Sequence, residues 1–130
     1  MDWDGLVSAL RDELQEKGGL IRLLNQQTEI LYRRDHVENE RLEDQIRNQI
    51  RLATRCRQAR ELILRQTAAK LDMPDEASAG EILAHFPEYV QPLLEALLLE
   101  VDRLSGRLEE RLRQNQYLKE RFMAEIAPAS

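Results

Sequence analysis

Residues 87–126 read PEYVQPLLEALLLEVDRLSGRLEERLRQNQYLKERFMAEI, and this stretch decides the fold. Eight leucines lie between Leu93 and Leu112, and after Pro92 no proline interrupts the stretch. Its apolar residues recur at alternating steps of four and three, which predicts one long helix with a heptad seam. The seam positions are Val90, Leu94, Leu97, Val101, Leu104, Leu108, Arg111, Asn115, Leu118 and Phe122. At about 1.5 Å per residue this helix would be roughly 55 Å long. We therefore expect the chain either to dimerise here or to keep part of the seam for another protein's helix.

The composition predicts a single all-α domain over residues 1–130. Charged residues make up 33% and aromatic residues 5%, with five glycines and four prolines, which is typical of long helices and not of turn-rich β folds. The net charge of −5 argues against nucleic acid as a partner, because phosphate binding needs a basic surface. No apolar run of about 18 residues occurs, so no membrane span is predicted. Asp2 and Asp4 are unlike the basic start of a signal peptide, and we expect a cytoplasmic protein.

Capping residues and prolines divide the chain into four helices. Asp35 with Glu38, and Ser78 with Glu81, form capping boxes that open the second and third helices, while Pro74 forbids a helix between them. The predicted helices span residues 3–34, 36–71, 78–85 and 88–126, and residues 127–130 form a tail. The first has its own seam at Trp3, Val7, Leu10, Leu14, Lys17, Ile21, Leu24, Thr28 and Leu31. The predicted architecture is an elongated, largely antiparallel bundle or coiled coil of three long helices plus one short helix.

Two positions leave the course of the helices open. Gly18 and Gly19 together cost about 2 kcal/mol of helix propensity relative to alanine. We expect a bend or a frayed turn there, with a complete break after Lys17 as the alternative. Pro92 lies either in the first turn of the long helix or at a kink.

Residues that carry catalytic chemistry are sparse. His36 and His85 lie in different segments, and neither follows a glutamate at the spacing used by di-iron bundles. The lone Cys56 offers no disulfide and no zinc site, and we interpret it as a small buried residue rather than a reactive thiolate. No phosphate-binding loop or nucleophile motif is present. We therefore predict no enzyme activity, no cofactor and no metal site.

The middle helix is rich in arginine, and this pattern has two interpretations. Arg47, Arg51 and Arg55 form a ladder with a spacing of four residues, as a nucleic-acid stripe would. No aromatic residue lies between them for base stacking. Residues 36–71 carry eight basic and five acidic side chains, whereas residues 72–130 carry six basic and twelve acidic ones. We favour a solvated face that attracts the acidic long helix, and we predict no nucleic-acid partner.

The seam of the long helix changes character near Gly106. Leucine is dense before this residue, and polar seam positions such as Arg111 and Asn115 appear after it. The helix either loses its core as it runs past the end of the bundle, or it forms half of a groove for a partner helix. The spacing of the residues leaves both interpretations open.

Three stretches together resemble the FlgN-type flagellar export chaperones. The first is Leu24 through Asp35, a helix end reading Gln-x-x-Glu-Ile-Leu before an aspartate that restarts the next helix. The second is Ser78-Ala-Gly-Glu-Ile-Leu-Ala-His-Phe-Pro, which is similar to the family's short link before its last long helix. The third is Leu112-Arg-Gln-Asn-Gln-Tyr-Leu, which is similar to the family's asparagine-x-x-leucine stretch.

This resemblance implies a small, acidic, cytosolic chaperone without catalysis. Such proteins bind the C-terminal helices of the hook–filament junction proteins FlgK and FlgL and deliver them to the flagellar export apparatus. The last long helix is the part associated with the client. The client-binding residues that the resemblance implies are Leu104, Leu108, Leu112, Asn115, Tyr117, Leu118 and Phe122. The main alternative is a coiled-coil scaffold whose long helix pairs with its own copy, as a homodimer. A nucleic-acid adaptor is the third interpretation.

Overall fold

The computed structural model describes residues 2–126, which fold into four α-helices and contain no strand. The all-α class predicted from the sequence is confirmed. The helices are α1 (Trp3–Tyr32), α2 (His36–Lys70), α3 (Ala79–Leu83) and α4 (Gln91–Ile126). The predicted tail, residues 127–130, lies outside the described residues.

Helix α1 is the central element, and α2 and α4 pack on two sides of it. Gln27 of α1 bonds Asn39 near the start of α2, and Glu16 bonds Gln49 further along, so α1 and α2 run antiparallel. Helix α4 runs in the same direction as α1, because Lys17 contacts Ser105 and Thr28, further along α1, contacts Asn115, further along α4. Among the described residues, no Cα atom of α2 lies within 8 Å of one of α4. A groove therefore remains between the two flanking helices.

The two adjacent glycines of α1 do not interrupt it. The helix continues from Trp3 to Tyr32, so neither the expected frayed turn nor the alternative, a complete break after Lys17, is found. The Gln49 side chain of α2 reaches α1 beside these glycines. It donates to the Glu16 backbone oxygen over 2.9 Å and to the Glu16 carboxylate over 2.6 Å. A Cβ atom at Gly19 would lie 3.0 Å from Gln49 Nε2. Glycine at this position gives the α2 side chain the room to reach the backbone of α1.

Capping side chains define the starts of α2 and α3. The Asp35 carboxylate accepts the Glu38 N–H over 3.1 Å, and the Ser78 hydroxyl accepts the Glu81 N–H over 3.1 Å, as their positions in the sequence predict. Arg34, in the turn between α1 and α2, adopts a left-handed φ of 55°. Helix α3 is shorter than the predicted 78–85, since it ends at Leu83 and the N–H groups of His85 and Phe86 bond only three residues back, as in a turn.

Helix α4 begins at Gln91, three residues after the predicted start at 88. Pro92 lies in its first turn, where the missing N–H leaves no hydrogen bond unmade. The first interior bond runs from the Leu94 N–H to the Val90 oxygen over 3.1 Å. Of the two predicted positions for Pro92, the structure shows the first turn.

The core consists of two clusters along α1. The larger joins the first half of α1 to the end of α2, to α3 and to the first half of α4, and includes Leu6, Leu10, Leu64, Ile82, Leu83, Phe86, Leu94 and Val101. The smaller lies further along and consists of Leu20, Leu24, Leu42, Ile46 and Leu108. Helix α3 closes the space between α2 and α4 only at the first end, so the groove opens beside the second cluster.

Candidate functional site: the groove between α2 and α4

A buried ionic cluster lies beneath one end of the groove. The Glu13 carboxylate is fully buried and accepts two hydrogen bonds from Arg60 of α2, over 2.6 and 3.2 Å. Lys17 Nζ lies 2.8 Å from the same carboxylate and donates to Ser105 Oγ of α4 over 2.6 Å. The cluster therefore connects all three long helices: an ion pair joins α1 to α2, and a hydrogen bond from Lys17 to Ser105 joins α1 to α4.

The surroundings of Glu13 shift its acidity. Burial acts to raise the pKa of Glu13, but hydrogen bonds from Arg60 and Lys17 and the charges of these two residues outweigh it. The pKa of Glu13 therefore lies below its ordinary value of 4.5. The ionised carboxylate is the form that the folded protein stabilises.

We predict an acid-dependent loss of stability from this cluster. Because the folded-state pKa of Glu13 is lowered, its contribution is fully present above the ordinary value of 4.5 and is lost as the pH falls through the folded-state pKa. The free energy of unfolding should be measured in urea from about pH 7 to about pH 3. A variant with Glu13→Leu, Lys17→Met and Arg60→Met serves as the control and should lose less stability over that range. Equal losses in both proteins would show that Glu13 does not carry the effect.

A second, mostly uncharged network crosses the same helices further along. Asn115 of α4 donates to the Leu24 backbone oxygen over 2.9 Å and to Gln27 Oε1 over 3.0 Å, while its own oxygen lies 2.7 Å from the Thr28 hydroxyl. Gln27 continues the network to Asn39 of α2 over 3.3 Å.

The network ends at an ion pair that bridges the groove. Asn39 donates to Glu43 over 3.2 Å, and Lys119 of α4 lies 2.6 Å from the same Glu43 carboxylate. The groove is therefore bounded by an ionic cluster at one end and by this bridge at the other.

The structure separates the seven residues of the predicted client-binding set. Leu108, Asn115 and Phe122 are only 6%, 3% and 3% exposed, because the seam of α4 packs against α1. All three are part of the core, so we correct the predicted set: Asn115 and Phe122 are removed from any surface that a partner reaches in the folded chain, and Leu108 is kept only as a buried residue at the floor of the groove. Leu104 and Leu118 are half-buried.

Phe122 shows how closed this part of the seam is. Its ring packs edge-on against Tyr32 at a centroid distance of 5.7 Å, and the Arg34 guanidinium lies 4.1 Å from the ring centroid. Arg34 also binds Glu125 over 3.2 Å. Tyr32 and the turn between α1 and α2 therefore cover the Phe122 face of the last turns of α4, which both interpretations of the sequence left uncovered.

Leu112 and Tyr117 are the two exposed members of the predicted set, and they lie in different hollows. Leu112 lines the groove between α2 and α4, which has a volume of about 190 Å³. Its floor is formed by Lys17, Leu20 and Leu108. Its α2 wall consists of Ile50, Ala53, Thr54 and Arg57, and its α4 wall of Ser105, Glu109 and Leu112.

Tyr117 and Leu118 line a larger hollow of about 870 Å³ beside α1. Three charged side chains, Glu110, Arg111 and Arg113, contribute to its lining. The smaller groove exposes a larger share of apolar surface, from Leu20, Ile50, Ala53, Leu108 and Leu112. Apolar area supplies the affinity of helix-in-groove recognition. We therefore assign the candidate site to the groove and not to the larger hollow.

The heptad seam of α4 does not indicate the α2 side of the groove. Ile50 is 37% exposed, close to the 38% of Leu112, and it lies four residues after the buried Ile46. That spacing widens the apolar stripe of α2 towards α4, and it is the sequence feature from which the α2 wall could have been predicted. Nothing in the sequence marks Arg57 as a groove residue, because an arginine on a polar helix is usual.

The remaining candidate groups show no reactive or ligand-binding arrangement. Cys56 is half-buried, and burial, together with the charges of Glu16, Asp12 and Glu13, raises the pKa of its thiol, so the reactive thiolate is disfavoured. Within residues 2–126, no three His, Cys, Asp or Glu side chains are grouped as metal ligands would be. None of the helices in the described range combines the length and the apolar character needed to cross a membrane.

Comparison of the chain with protein-family models, with curated proteins and with solved structures finds no match. The resemblance to FlgN-type chaperones therefore rests on the three stretches quoted above and stays a prediction.

Proposed function

We propose that this protein is a cytosolic secretion chaperone of the FlgN type, without catalytic activity, built as an elongated helical bundle. Its clients are the C-terminal helices of hook–filament junction proteins such as FlgK and FlgL, which it delivers to the flagellar export apparatus. The observation that carries the proposal is the groove between α2 and α4. There, Leu112 and Ile50 remain more than a third exposed above a floor that includes Leu20 and Leu108.

A client helix in this groove would supply the contact that α2 and α4 do not make with each other. A helix with its side chains is about 10 Å across, so it would lie above Leu20 and Leu108 and touch both walls. Burying one large apolar side chain contributes about 1.5–3 kcal/mol. Two or three such contacts give a reversible complex once the cost of ordering the client is subtracted.

We expect the double substitution Leu112→Asp with Ile50→Asp to weaken client binding by about 30-fold, because it places charge in the apolar walls. Both side chains are exposed, so the helical circular dichroism should stay unchanged. Binding should be measured by fluorescence anisotropy with labelled peptides from the C-terminal helices of the junction proteins.

Leu62→Asp with Leu99→Asp is the matched control, because both leucines are exposed and neither lines the groove. The control should bind like the wild type. Unchanged binding by the groove variant would overturn the site, and absence of peptide binding by the wild type would overturn the chaperone function.

Sedimentation of the pure protein separates the chaperone from a homo-oligomeric scaffold. A monomer, or a dimer that dissociates when the client peptide is added, supports the proposal. A dimer that persists at nanomolar concentration and is lost in the groove variant would show that a second copy occupies the groove.

A further inference from the structure

We infer that the groove selects an amphipathic helix whose two flanks carry opposite charges, with an acidic flank towards α2 and a basic flank towards α4. This inference rests on the proposed function and specifies the chemistry of its client. It is carried by the charges at the two walls, whose signs are opposite.

Arg57 is the cationic group of the α2 wall, and Glu109 is the anionic group of the α4 wall. The Arg57 side chain is half exposed, and the one carboxylate within residues 2–126 that pairs with it is that of Glu61, on its own helix, at 3.9 Å. Glu109 is exposed and takes part in no ion pair within residues 2–126. Glu109 is therefore available to pair with a group on a helix between the walls, and Arg57, which contacts Glu61 only at 3.9 Å, can exchange that partner for a carboxylate of the client.

The charged residues at the two ends of the groove already form ion pairs. Lys17 is bound to Glu13 beneath one end, and at the other end Lys119 holds Glu43 over 2.6 Å. Glu43 and Lys119 have the reverse polarity, acidic on α2 and basic on α4, and they bind each other across the groove. The charge pattern that a client encounters is thus set by Arg57 and Glu109.

The length of the lined walls fixes the size of the recognised segment. The α2 wall runs from Ile50 to Arg57 and the α4 wall from Ser105 to Leu112, each about 10 Å or two helical turns. A client helix would therefore present an apolar residue at positions i, i+4 and i+7, with a glutamate or aspartate on one side of this stripe and a lysine or arginine on the other.

Three synthetic helical peptides with the same apolar stripe test this inference. One carries an acidic and a basic flank, one carries two basic flanks, and one carries two acidic flanks. The wild type should bind the mixed peptide about fivefold more tightly than either of the others at low salt. The difference should shrink as salt is raised, because exposed charges are screened.

Variants of the walls should move this preference in opposite directions. Arg57→Glu makes both walls acidic and should favour the peptide with two basic flanks, while Glu109→Lys makes both walls basic and should favour the peptide with two acidic flanks. The double variant should again prefer the mixed peptide. Arg51→Glu, an exposed change outside the groove, is the control and should keep the wild-type order.

The outcomes distinguish this inference from the function on which it rests. If the natural client peptides bind but the three designed peptides bind equally well, the charge selectivity is wrong and the chaperone function stands. If wild-type protein binds none of the client peptides, the proposed function fails first.

Discussion

Replacing Glu13 by leucine is expected to lower the free energy of unfolding by about 3–5 kcal/mol, the usual cost of removing one partner from a buried ion pair. Glu13 is fully buried, and its carboxylate is the shared acceptor for Lys17 and Arg60. These two side chains are only 10% and 15% exposed. Without the carboxylate they would remain as two neighbouring positive charges with little access to water.

The cost should disappear when all three charges are removed together. The variant with Glu13→Leu, Lys17→Met and Arg60→Met replaces the cluster by apolar side chains of similar length, a change that is often neutral or stabilising. Urea unfolding, monitored by circular dichroism, measures the free energy of unfolding of the single and of the triple variant. A loss of less than about 1 kcal/mol for Glu13→Leu alone would show that Lys17 and Arg60 turn outwards into water.

Asn115→Ala is expected to lower the free energy of unfolding by about 2–3 kcal/mol, because buried polar groups would lose their partners. The side chain of Asn115 satisfies Gln27 Oε1 and the Leu24 backbone oxygen and accepts from the Thr28 hydroxyl. Truncation leaves Gln27 Oε1 without this donor and opens a small cavity in a closely packed seam.

Gln114→Ala is the matched control for Asn115→Ala. Gln114 is exposed, and its amide reaches Glu110 only over 3.4 Å, so thermal unfolding should shift little or slightly upwards. If Asn115→Ala were as stable as Gln114→Ala, Asn115 would not belong to the core and would return to the candidate surface.

The heptad pattern of α4 correctly indicated which face of the helix packs inwards. Val101, Leu108 and Phe122 are buried at the predicted spacing, because the geometry of a helix alone sets which residues share a face. The same pattern says nothing about the partner that covers the face. The end of the seam was interpreted as open, whereas α1 and the turn after it cover Phe122.

The polar contacts between helices were beyond prediction for a different reason. Lys17 and Thr28 occupy seam positions of α1, and each meets a polar residue of α4, but this match depends on how far α4 is shifted along α1. The face of α1 that packs against α2 includes Glu13 and Gln27. It was not recognised as a packing face, because charged and amide residues are usually exposed. The groove depends on that face, since it determines where α2 lies relative to α4.

The central position of α1 has a consequence for assembly during synthesis. The turn between α1 and α2 occupies only residues 33–35, so this hairpin forms at a small entropic cost of loop closure. It can form on the ribosome before α4 has been translated, and until then the surface of α1 around Leu24 that later packs against α4 faces solvent. We therefore expect the nascent chain to pass through a stage in which this apolar surface favours aggregation until its last helix is complete.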